Sequence, residues 1–186
     1  MLKVTKTPLL GVLIIEPKLY EDKRGFFFEA YNQDDYKNYA GITSNFVQDN
    51  QSFSIQNTLR GLHYQIERPQ GKLIRVLEGE VFDVVVDIRV GSPSFGKWFS
   101  IKLSSLNHKQ IWIPEGFAHG FLALSSQANI LYKTTDFYFP EHERAIRWND
   151  PKLNIDWPNI SGDFNLSEKD SNANLLDSAD LPTFKN

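Results

Sequence analysis

Two neighbouring segments of the chain carry side chains that together could move a proton and hold an anion. The first reads Thr58-Leu-Arg-Gly-Leu-His63-Tyr-Gln65, and Gly71-Lys72-Leu-Ile-Arg75 follows soon after it. A histidine can gain or lose a proton near neutral pH. Arg60 and Lys72 can hold an anion, or the negative oxygen that develops when a proton leaves a carbon beside a carbonyl. The two segments therefore predict proton abstraction next to a carbonyl on a charged substrate.

The composition narrows the classes of protein to which the chain can belong. It has 186 residues, no cysteine and a formal net charge of −3. Without cysteine there is no disulfide, thiolate nucleophile or Cys-ligated metal, and the small net charge argues against general affinity for nucleic acid or for an anionic membrane. The N-terminus lacks the pattern of a signal peptide, and no apolar stretch is long enough to cross a bilayer. We expect a soluble, cytoplasmic protein with a single domain at 1–186, its core barrel at about 10–150 and loops with short helices at 151–186.

Hydrophobic periodicity predicts a mainly β fold. Short apolar or alternating runs are separated by Gly, Pro and Asn at close and even spacing, which is typical of a sandwich or barrel. The predicted strands are Val12–Glu16, Phe26–Tyr31, Phe46–Ser54, Leu59–Gln65, Lys72–Leu77, Val81–Arg89, Trp98–Leu103, Gln110–Ile113, Gly120–Leu124 and Ile130–Thr134.

Two short helices are predicted from their end signals. One spans Asp34–Tyr39, with Asn32 as the candidate N-cap and Gly41 at the C-terminal end. The other starts after Ser167, where Ser167-Glu-Lys-Asp170 has the spacing of a capping box.

The strand Val81–Arg89 places two acids on one face. Apolar side chains at alternate positions form one side of this strand, which leaves Asp83 and Asp87 on the other. In a jelly-roll barrel the second face could be the interior, and Asp83 would then be a buried acid that needs a partner. A solvated face explains the pattern equally well, so both interpretations stay open.

His119 lies in a Pro-x-Gly-x-x-His segment, Pro114-Glu-Gly-Phe-Ala-His119. This spacing matches the second sequence box of the cupins, small β-barrels in which that histidine often binds a metal. A metal site needs several converging ligands. The companion box would supply His-x-His and a glutamate, but Gly61-Leu-His63-Tyr-Gln65 offers one histidine. We therefore predict a pocket that works without a metal.

Eight motifs in order resemble one enzyme family. They are Asp22-Lys-Arg-Gly-Phe-Phe-Phe-Glu29, Phe46-Val-Gln-Asp-Asn50, Leu59-Arg-Gly-Leu-His63, Gln70-Gly-Lys72, Gly79-Glu-Val-Phe-Asp-Val-Val-Val-Asp-Ile-Arg89, Trp112-Ile-Pro-Glu-Gly-Phe-Ala-His-Gly-Phe121, Leu131-Tyr-Lys133 and Leu166-Ser-Glu-Lys-Asp170. From about Thr7 to Leu176, the chain resembles the dTDP-4-dehydrorhamnose 3,5-epimerases. The resemblance implies a cupin-type jelly-roll barrel with a few short helices, no metal or other cofactor, and a homodimer.

The resemblance also implies a substrate and a reaction. The substrate is dTDP-4-dehydro-6-deoxy-glucose, which is inverted at C3 and C5 of the sugar in the synthesis of dTDP-rhamnose. Both carbons flank the C4 ketone, so loss of either proton gives an enolate whose charge collects on the C4 oxygen. A base on one face and an acid on the other can then return a proton with inverted configuration.

Four residues receive catalytic roles from the resemblance. His63 is the base, Asp170 orients its ring, Tyr132 is the proton donor and Lys72 lies near the ketone. Asp170 could serve both as the partner of His63 and as an acid in the first turn of the second helix. A phenol with a pKa of about 10 stays protonated at neutral pH, which suits a donor. Without the resemblance, a satisfied strand histidine, a helix acid, a barrel aromatic and a solvated lysine would be the simpler interpretations.

A second set of residues is implied in substrate binding. In the family, two of them come from the partner subunit, whose N-terminal strands extend the neighbouring sheet, and a tyrosine stacks on thymine. At the matching positions, Arg24 and Glu29 are the partner's contribution and Tyr138 is the stacking residue. Phe137 stands where a second tyrosine is common, and Asn172 and Asn174 change the usual tail. The implied set is Arg24, Glu29, Gln48, Asp49, Asn50, Arg60, His119, Tyr138, Glu143 and Lys169.

The position of Arg60 raises a geometric question. In a regular strand, Arg60 and His63 point to opposite faces because they are three positions apart, which is an odd separation. If both reach one pocket, a bulge or strong twist near Gly61 is required. Two alternative functions also stay open: an epimerase that acts at one carbon or on another nucleotide sugar, and a non-catalytic barrel that binds sugar nucleotides.

Overall fold

The computed structural model describes residues 2–184, whose regular secondary structure is mainly β-strand. Within these residues there are two short α-helices, α1 (Gln33–Ala40) and α2 (Glu168–Ser171). Neither of these helices is long and apolar enough to cross a lipid bilayer. The strands are β1 (Lys3–Lys6), β2 (Leu13–Glu16), β3 (Tyr20–Asp22), β4 (Gly25–Phe27), β5 (Gln48–Ile55), β6 (Leu59–Gln65), β7 (Lys72–Glu78), β8 (Glu80–Asp87), β9 (Trp98–Ser104), β10 (Gln110–Ile113), β11 (Phe117–Ala123), β12 (Gln127–Thr134) and β13 (Glu143–Ala145).

Two antiparallel sheets face each other across the main core. One has six strands in the order β1-β2-β10-β7-β12-β5, and the other has five in the order β13-β6-β11-β8-β9. From β5 to β8 and again from β9 to β12, the chain crosses from one sheet to the other at each step. This is the cupin-type jelly roll that the sequence predicted. The hairpin β3-β4 forms a separate two-stranded sheet.

Side chains at alternate positions fill the space between the sheets. Ile74 and Ile130 of the six-stranded sheet pack in one cluster with Val85 and Phe121 of the five-stranded sheet, and all four are buried. The outer faces are covered as well. Apolar residues of the C-terminal tail, including Leu153 and Leu176, pack on the outer side of the five-stranded sheet. The tail therefore wraps the barrel, as predicted.

A second apolar cluster anchors α1 on the outer side of the six-stranded sheet. Tyr36 of α1 is buried against Leu73 and Trp112. Both predicted end signals are confirmed: the Asn32 side chain accepts hydrogen bonds from the amides of residues 34 and 35, and the helix ends at Gly41 in the left-handed conformation. The helix extends one residue beyond the predicted range at each end.

Burial of both faces of β8 decides between the two interpretations of its acids. Asp83 is 1 % exposed and Asp87 is fully buried, so the solvated-face interpretation is wrong. Asp87 accepts two hydrogen bonds from the Arg89 guanidinium and one from each hydroxyl of Ser92 and Ser94. Burial alone would raise the pKa of Asp87, but these bonds lower it to about 2.

Near the N-terminus, the strand prediction was partly wrong. The predicted strand Phe26–Tyr31 ends at Phe27, where β4 leaves its short pairing with β3. Strands β1, β3 and β13 were not predicted, because each has only three or four residues and little apolar pattern.

A bulge occurs in β6 at Gly61, where the sequence predicted one if Arg60 and His63 were to share a face. Phe121 pairs with Arg60 and His119 pairs with His63, so three steps along β6 match two along β11. Gly61 has φ +110°, and a Cβ there would lie 2.6 Å from the Gly120 Cα and from the His119 carbonyl oxygen. The bulge therefore needs glycine, and it turns Arg60 and His63 to the same face.

Candidate active site

A cavity of about 320 Å³ opens between the two sheets. Three of the four predicted catalytic residues, His63, Lys72 and Tyr132, lie on its wall. The lining consists of Asn50, Gln51, Ser52, His63, Gln70, Lys72, Tyr132, Thr134, Tyr138 and Glu143.

Strand register explains why these side chains meet. Tyr132 pairs with Ile74, and Thr134 pairs with Lys72, two residues along each strand, so Lys72 and Tyr132 share the inner face of the six-stranded sheet. His63 pairs with His119 on the five-stranded sheet. The cavity thus has His63 on one wall and Tyr132 with Lys72 on the other.

His63 and Asp170 form a direct pair. The Nε2 of His63 lies 2.5 Å from Oδ1 of Asp170, whose side chain is 5 % exposed. Asp170 is held by α2, where the Ser167 hydroxyl accepts the Asp170 amide hydrogen, as the capping box predicted. Burial would raise the pKa of Asp170, but the hydrogen bond from His63 brings it below its ordinary value. The carboxylate is therefore ionised at neutral pH and favours a proton on Nε2 of the ring.

Lys72 has an altered basicity. Burial lowers the pKa of Lys72 to about 8, although the carboxylates of Glu143 and Asp83 act in the opposite direction. At neutral pH the ammonium group is still mainly charged, and it is poorly hydrated. Such a group can stabilise a negative oxygen that forms in the cavity.

Tyr132 reaches the cavity from the inner face of β12. Its hydroxyl lies 2.9 Å from the Ser52 hydroxyl, and its ring packs against the main core. Burial raises the pKa of Tyr132 well above the ordinary value, while the bond to Ser52 acts in the opposite direction. The phenol is therefore protonated at neutral pH, as a proton donor must be.

Glu143 connects three elements at the rim of the cavity. It accepts a hydrogen bond of 2.7 Å from the Tyr138 hydroxyl and pairs with Lys169 of α2 at 2.5 Å. Burial would raise the pKa of Glu143, but Lys169 and Tyr138 bring it below the usual range. The bond to Glu143 and, to a smaller extent, burial raise the pKa of Tyr138 to about 12. The Gln48 side chain accepts the Tyr138 amide hydrogen, so Gln48 belongs to the same group.

His119 is buried beside the cavity and does not line it. Its Nε2 lies 2.8 Å from Oδ2 of Asp83, and its ring centroid is 6.3 Å from that of Tyr132. The second oxygen of Asp83 is the one buried side-chain polar atom among residues 2–184 that lacks a hydrogen-bond partner. Asp83 is thus an acid with a partner, as one interpretation of the sequence required, and it adds a negative charge behind Lys72 and Tyr132.

Arg60 bridges the two sheets at the end of β5. Its Nε donates to the Ser54 hydroxyl and one terminal nitrogen donates to the Phe53 carbonyl, both at 3.0 Å. Arg60 does not line the cavity, but its charge reaches Tyr132 and favours the tyrosinate form.

The N-terminal residues predicted for binding lie apart from the cavity of the same chain. Arg24 pairs with Asp22 on the hairpin β3-β4, and Glu29 accepts a hydrogen bond from Asn32. Asp49 points outward to Lys133 at 2.8 Å, while Asn50 lines the cavity.

Four lining residues were not predicted from the sequence: Gln51, Ser52, Gln70 and Thr134. Ser52 and Thr134 sit at alternating positions of strands that also carry predicted site residues, which is a signal that could have found them. Gln70 stands two residues before Lys72 and donates to the Asp136 carbonyl. Across residues 2–184, no group of three or more His, Asp or Glu side chains is placed to hold a metal ion.

The fold and the cavity together define a jelly-roll barrel whose pocket carries the groups of a proton-transfer enzyme: a histidine paired with an aspartate, a buried lysine and a tyrosine. Comparison with known proteins gives the family. The model of the dTDP-4-dehydrorhamnose 3,5-epimerase family matches residues 6–178, and the chain belongs to that family.

Individual relatives cover nearly the whole chain. The dTDP-4-dehydrorhamnose 3,5-epimerase of Pseudomonas aeruginosa is 54 % identical over 96 % of this chain and 98 % of its own. The crystal structure of the Legionella pneumophila epimerase RmlC in complex with dTDP-4-keto-L-rhamnose has a TM-score of 0.97, with 50 % identity and complete coverage of both chains. ChmJ, a 3′-monoepimerase from Streptomyces bikiniensis, was solved with dTDP-quinovose. It has a TM-score of 0.87 at 31 % identity, over 96 % of this chain and 93 % of that one.

Proposed function

We propose that this epimerase converts dTDP-4-dehydro-6-deoxy-glucose to dTDP-4-dehydro-β-L-rhamnose by inverting C3 and C5 of the sugar. The observation that carries the proposal is the placement of an imidazole and a phenol on opposite walls of one cavity, with the Lys72 ammonium group on the same wall as the phenol. A base and an acid on opposite sides of a planar enolate are what inversion requires.

His63 is the base in this proposal. Its Nε2 is engaged by Asp170, so Nδ1 of the neutral ring carries the lone pair that takes the proton. The imidazolium that forms is stabilised by the ionised carboxylate of Asp170. The sugar C3 and C5 protons are removed in two separate cycles, because one base serves both carbons.

Lys72 and Tyr132 complete each cycle. As the proton leaves, charge moves from the carbon to the C4 oxygen, where the poorly hydrated Lys72 ammonium stabilises it. Tyr132 then delivers its proton to the other face of the same carbon. The tyrosinate and the imidazolium return to their starting forms by exchange with water, so atoms and charge balance.

The nucleotide end of the substrate has a matching rim. The Tyr138 ring is 47 % exposed, and its hydroxyl and amide are held by Glu143 and Gln48. A fixed, exposed ring is suited to stack on thymine. Lys169, beside Glu143, adds a positive charge for the pyrophosphate. The predicted binding roles of His119 and Asp49 stay predictions.

A homodimer is part of the proposal. Phe26 and Phe27 of the hairpin β3-β4 are 57 % and 67 % exposed, and such apolar surface favours burial against another chain. Arg24 and Glu29 lie on and just after this hairpin, away from the cavity of their own chain. We infer that the partner's hairpin carries them to the neighbouring cavity.

Hybrid dimers test this arrangement. Dimers of Arg24→Ala chains alone, or of His63→Ala chains alone, should be impaired. A hybrid dimer with one chain of each kind should have about half of the wild-type activity, because one of its two sites combines an intact His63 with an intact Arg24. No recovery in isolated hybrids would show that Arg24 acts within its own chain.

The reaction itself is tested by proton NMR in deuterated water. Purified protein and substrate alone should give solvent deuterium at both C3 and C5, and the coupling constants should report inversion. Exchange at one carbon would support a single-position epimerase, the function of the related monoepimerase ChmJ. No exchange at either carbon, with nucleotide bound, would support a binding protein. A cytoplasmic location stays a prediction that cell fractionation can test.

A further inference from the structure

We propose that Ser52 and Arg60 are positioning residues that stabilise the tyrosinate left when Tyr132 gives up its proton. The inference rests on the proposed function, in which Tyr132 is the acid. It concerns the second half of each cycle, after His63 has acted.

The geometry around β5 links the two residues. Ser52 and Ser54 are separated by one residue, so both hydroxyls point toward the barrel interior. Ser52 bonds the Tyr132 hydroxyl at 2.9 Å, and Ser54 accepts from Arg60 Nε at 3.0 Å. The second bond of Arg60, to the Phe53 carbonyl, fixes its guanidinium over the same strand.

A buried tyrosinate needs such support. The phenol ring packs against the core, and the buried carboxylate of Asp83, whose charge acts on Tyr132, has one oxygen without a hydrogen-bond partner. Burial and the Asp83 charge both disfavour the anion, whereas the Ser52 hydroxyl and the Arg60 charge favour it. Without the Ser52 hydroxyl and the Arg60 charge, Tyr132 would be protonated but would transfer its proton to the enolate slowly.

The proton moves are balanced. The Tyr132 O–H bond breaks as a C–H bond forms on the enolate carbon, and the negative charge passes from the C4 oxygen to the phenolic oxygen. Ser52 then turns its hydroxyl hydrogen toward that oxygen. A solvent proton restores the phenol, and His63 releases the proton that it took.

Isotope partitioning separates this role from a structural one. In deuterated water, the enolate either receives a proton from Tyr132 and becomes product or receives one back from His63. The His63 side chain is 28 % exposed, so its abstracted proton can exchange with solvent before it returns. Weakening Tyr132 should therefore raise the deuterium in recovered substrate relative to product.

We expect Ser52→Ala to slow product formation by about ten- to a hundredfold, because a hydrogen bond to a charged group is lost. The ratio of deuterium in recovered substrate to deuterium in product should rise by a similar factor. Ser52→Thr, which keeps a hydroxyl, should restore both values. Ser54→Ala, which frees Arg60, should shift the ratio in the same direction by less. Ser178→Ala removes an exposed hydroxyl elsewhere and should change nothing.

A Tyr132→Phe background gives the closing measurement. This variant should make little product but still exchange deuterium into substrate through His63, and adding Ser52→Ala should leave that exchange rate unchanged. If Ser52→Ala lowers the exchange rate of the Tyr132→Phe variant, Ser52 acts on the fold or on His63, and the inference is overturned. If the wild-type protein is active and Ser52→Ala has the wild-type isotope ratio, the inference is also overturned, while the proposed function stands. No exchange in wild type would instead contradict the proposed function and this inference with it.

Discussion

His63 and Asp170 stand 107 residues apart in the chain, yet His63 Nε2 lies 2.5 Å from Asp170 Oδ1. The contact joins an inner strand of the five-stranded sheet to a four-residue helix in the C-terminal tail. It fixes which ring nitrogen is engaged and places a negative charge next to the future imidazolium.

Asp170→Asn should lower kcat by at least about a hundredfold, because the amide cannot stabilise the imidazolium and can favour the wrong tautomer. Steady-state rates of product formation measure this, with thermal unfolding to show that the variant is folded. Asp177→Asn changes an exposed acid of the same tail that pairs with Lys152, and it should retain wild-type kcat. A fully active Asp170→Asn would remove Asp170 from the mechanism.

The lowered pKa of Lys72 predicts that kcat/KM decreases at alkaline pH, which gives the pH profile an alkaline limb. Its pKa is about 8, so the charged form that stabilises the oxyanion dominates below pH 8 and is lost above it. We expect kcat/KM to fall about tenfold for each pH unit above that value. In kcat the limb should lie at higher pH, because bound substrate is anionic and holds the proton on Lys72.

Two variants check that assignment. Lys72→Met should reduce kcat/KM by about 10²- to 10³-fold at pH 7, the usual loss for one oxyanion donor. Lys72→Arg keeps its charge at high pH and should show no limb near pH 8, whatever its absolute rate. A limb that persists in the arginine variant would belong to another group.

The buried pair of Asp87 and Arg89 should contribute to the free energy of unfolding in a pH-dependent way. Because the pKa of Asp87 falls from 3.8 to about 2 in the folded protein, its contribution is fully present above 3.8 and is lost as the pH falls toward 2. Asp87→Asn leaves the largely buried Arg89 without its counter-charge and should cost about 3–5 kcal/mol at pH 7. Urea titration should show that the difference from wild type narrows in acid, and Asp180→Asn, at an exposed pair, should behave as wild type.

Gly61→Ala should destabilise the fold by about 2 kcal/mol or more, because a Cβ would meet the Gly120 backbone and because φ is positive. Gly162 provides a matched control, since its φ is also positive at +86° but a Cβ there meets no atom within 4 Å. The difference between the two alanine variants in denaturant titration isolates the close approach of β6 to β11. Equal losses would mean that backbone conformation alone matters at Gly61.

Most of the barrel could be predicted from local pattern. Strands such as β6 and β10 were predicted with correct bounds because two-residue alternation between turn signals is a local property. The caps at Asn32 and Ser167 were equally local. The predicted strand Phe26–Tyr31 was too long, because its pairing depends on β3 and not on its own apolar run.

The site was predictable in residue types but not in geometry. By itself, the sequence determined a proton-transfer histidine near two cations, and its motifs identified the family. Only the tertiary structure decided that both faces of β8 are buried, that Asp83 pairs with His119, and that Arg60 reaches β5 instead of the cavity wall. The alternation of residue types along a strand indicates which residues share a face of that strand. The contacts of His63 with Asp170 and of Ser52 with Tyr132 depend instead on how distant strands and the C-terminal tail pack together.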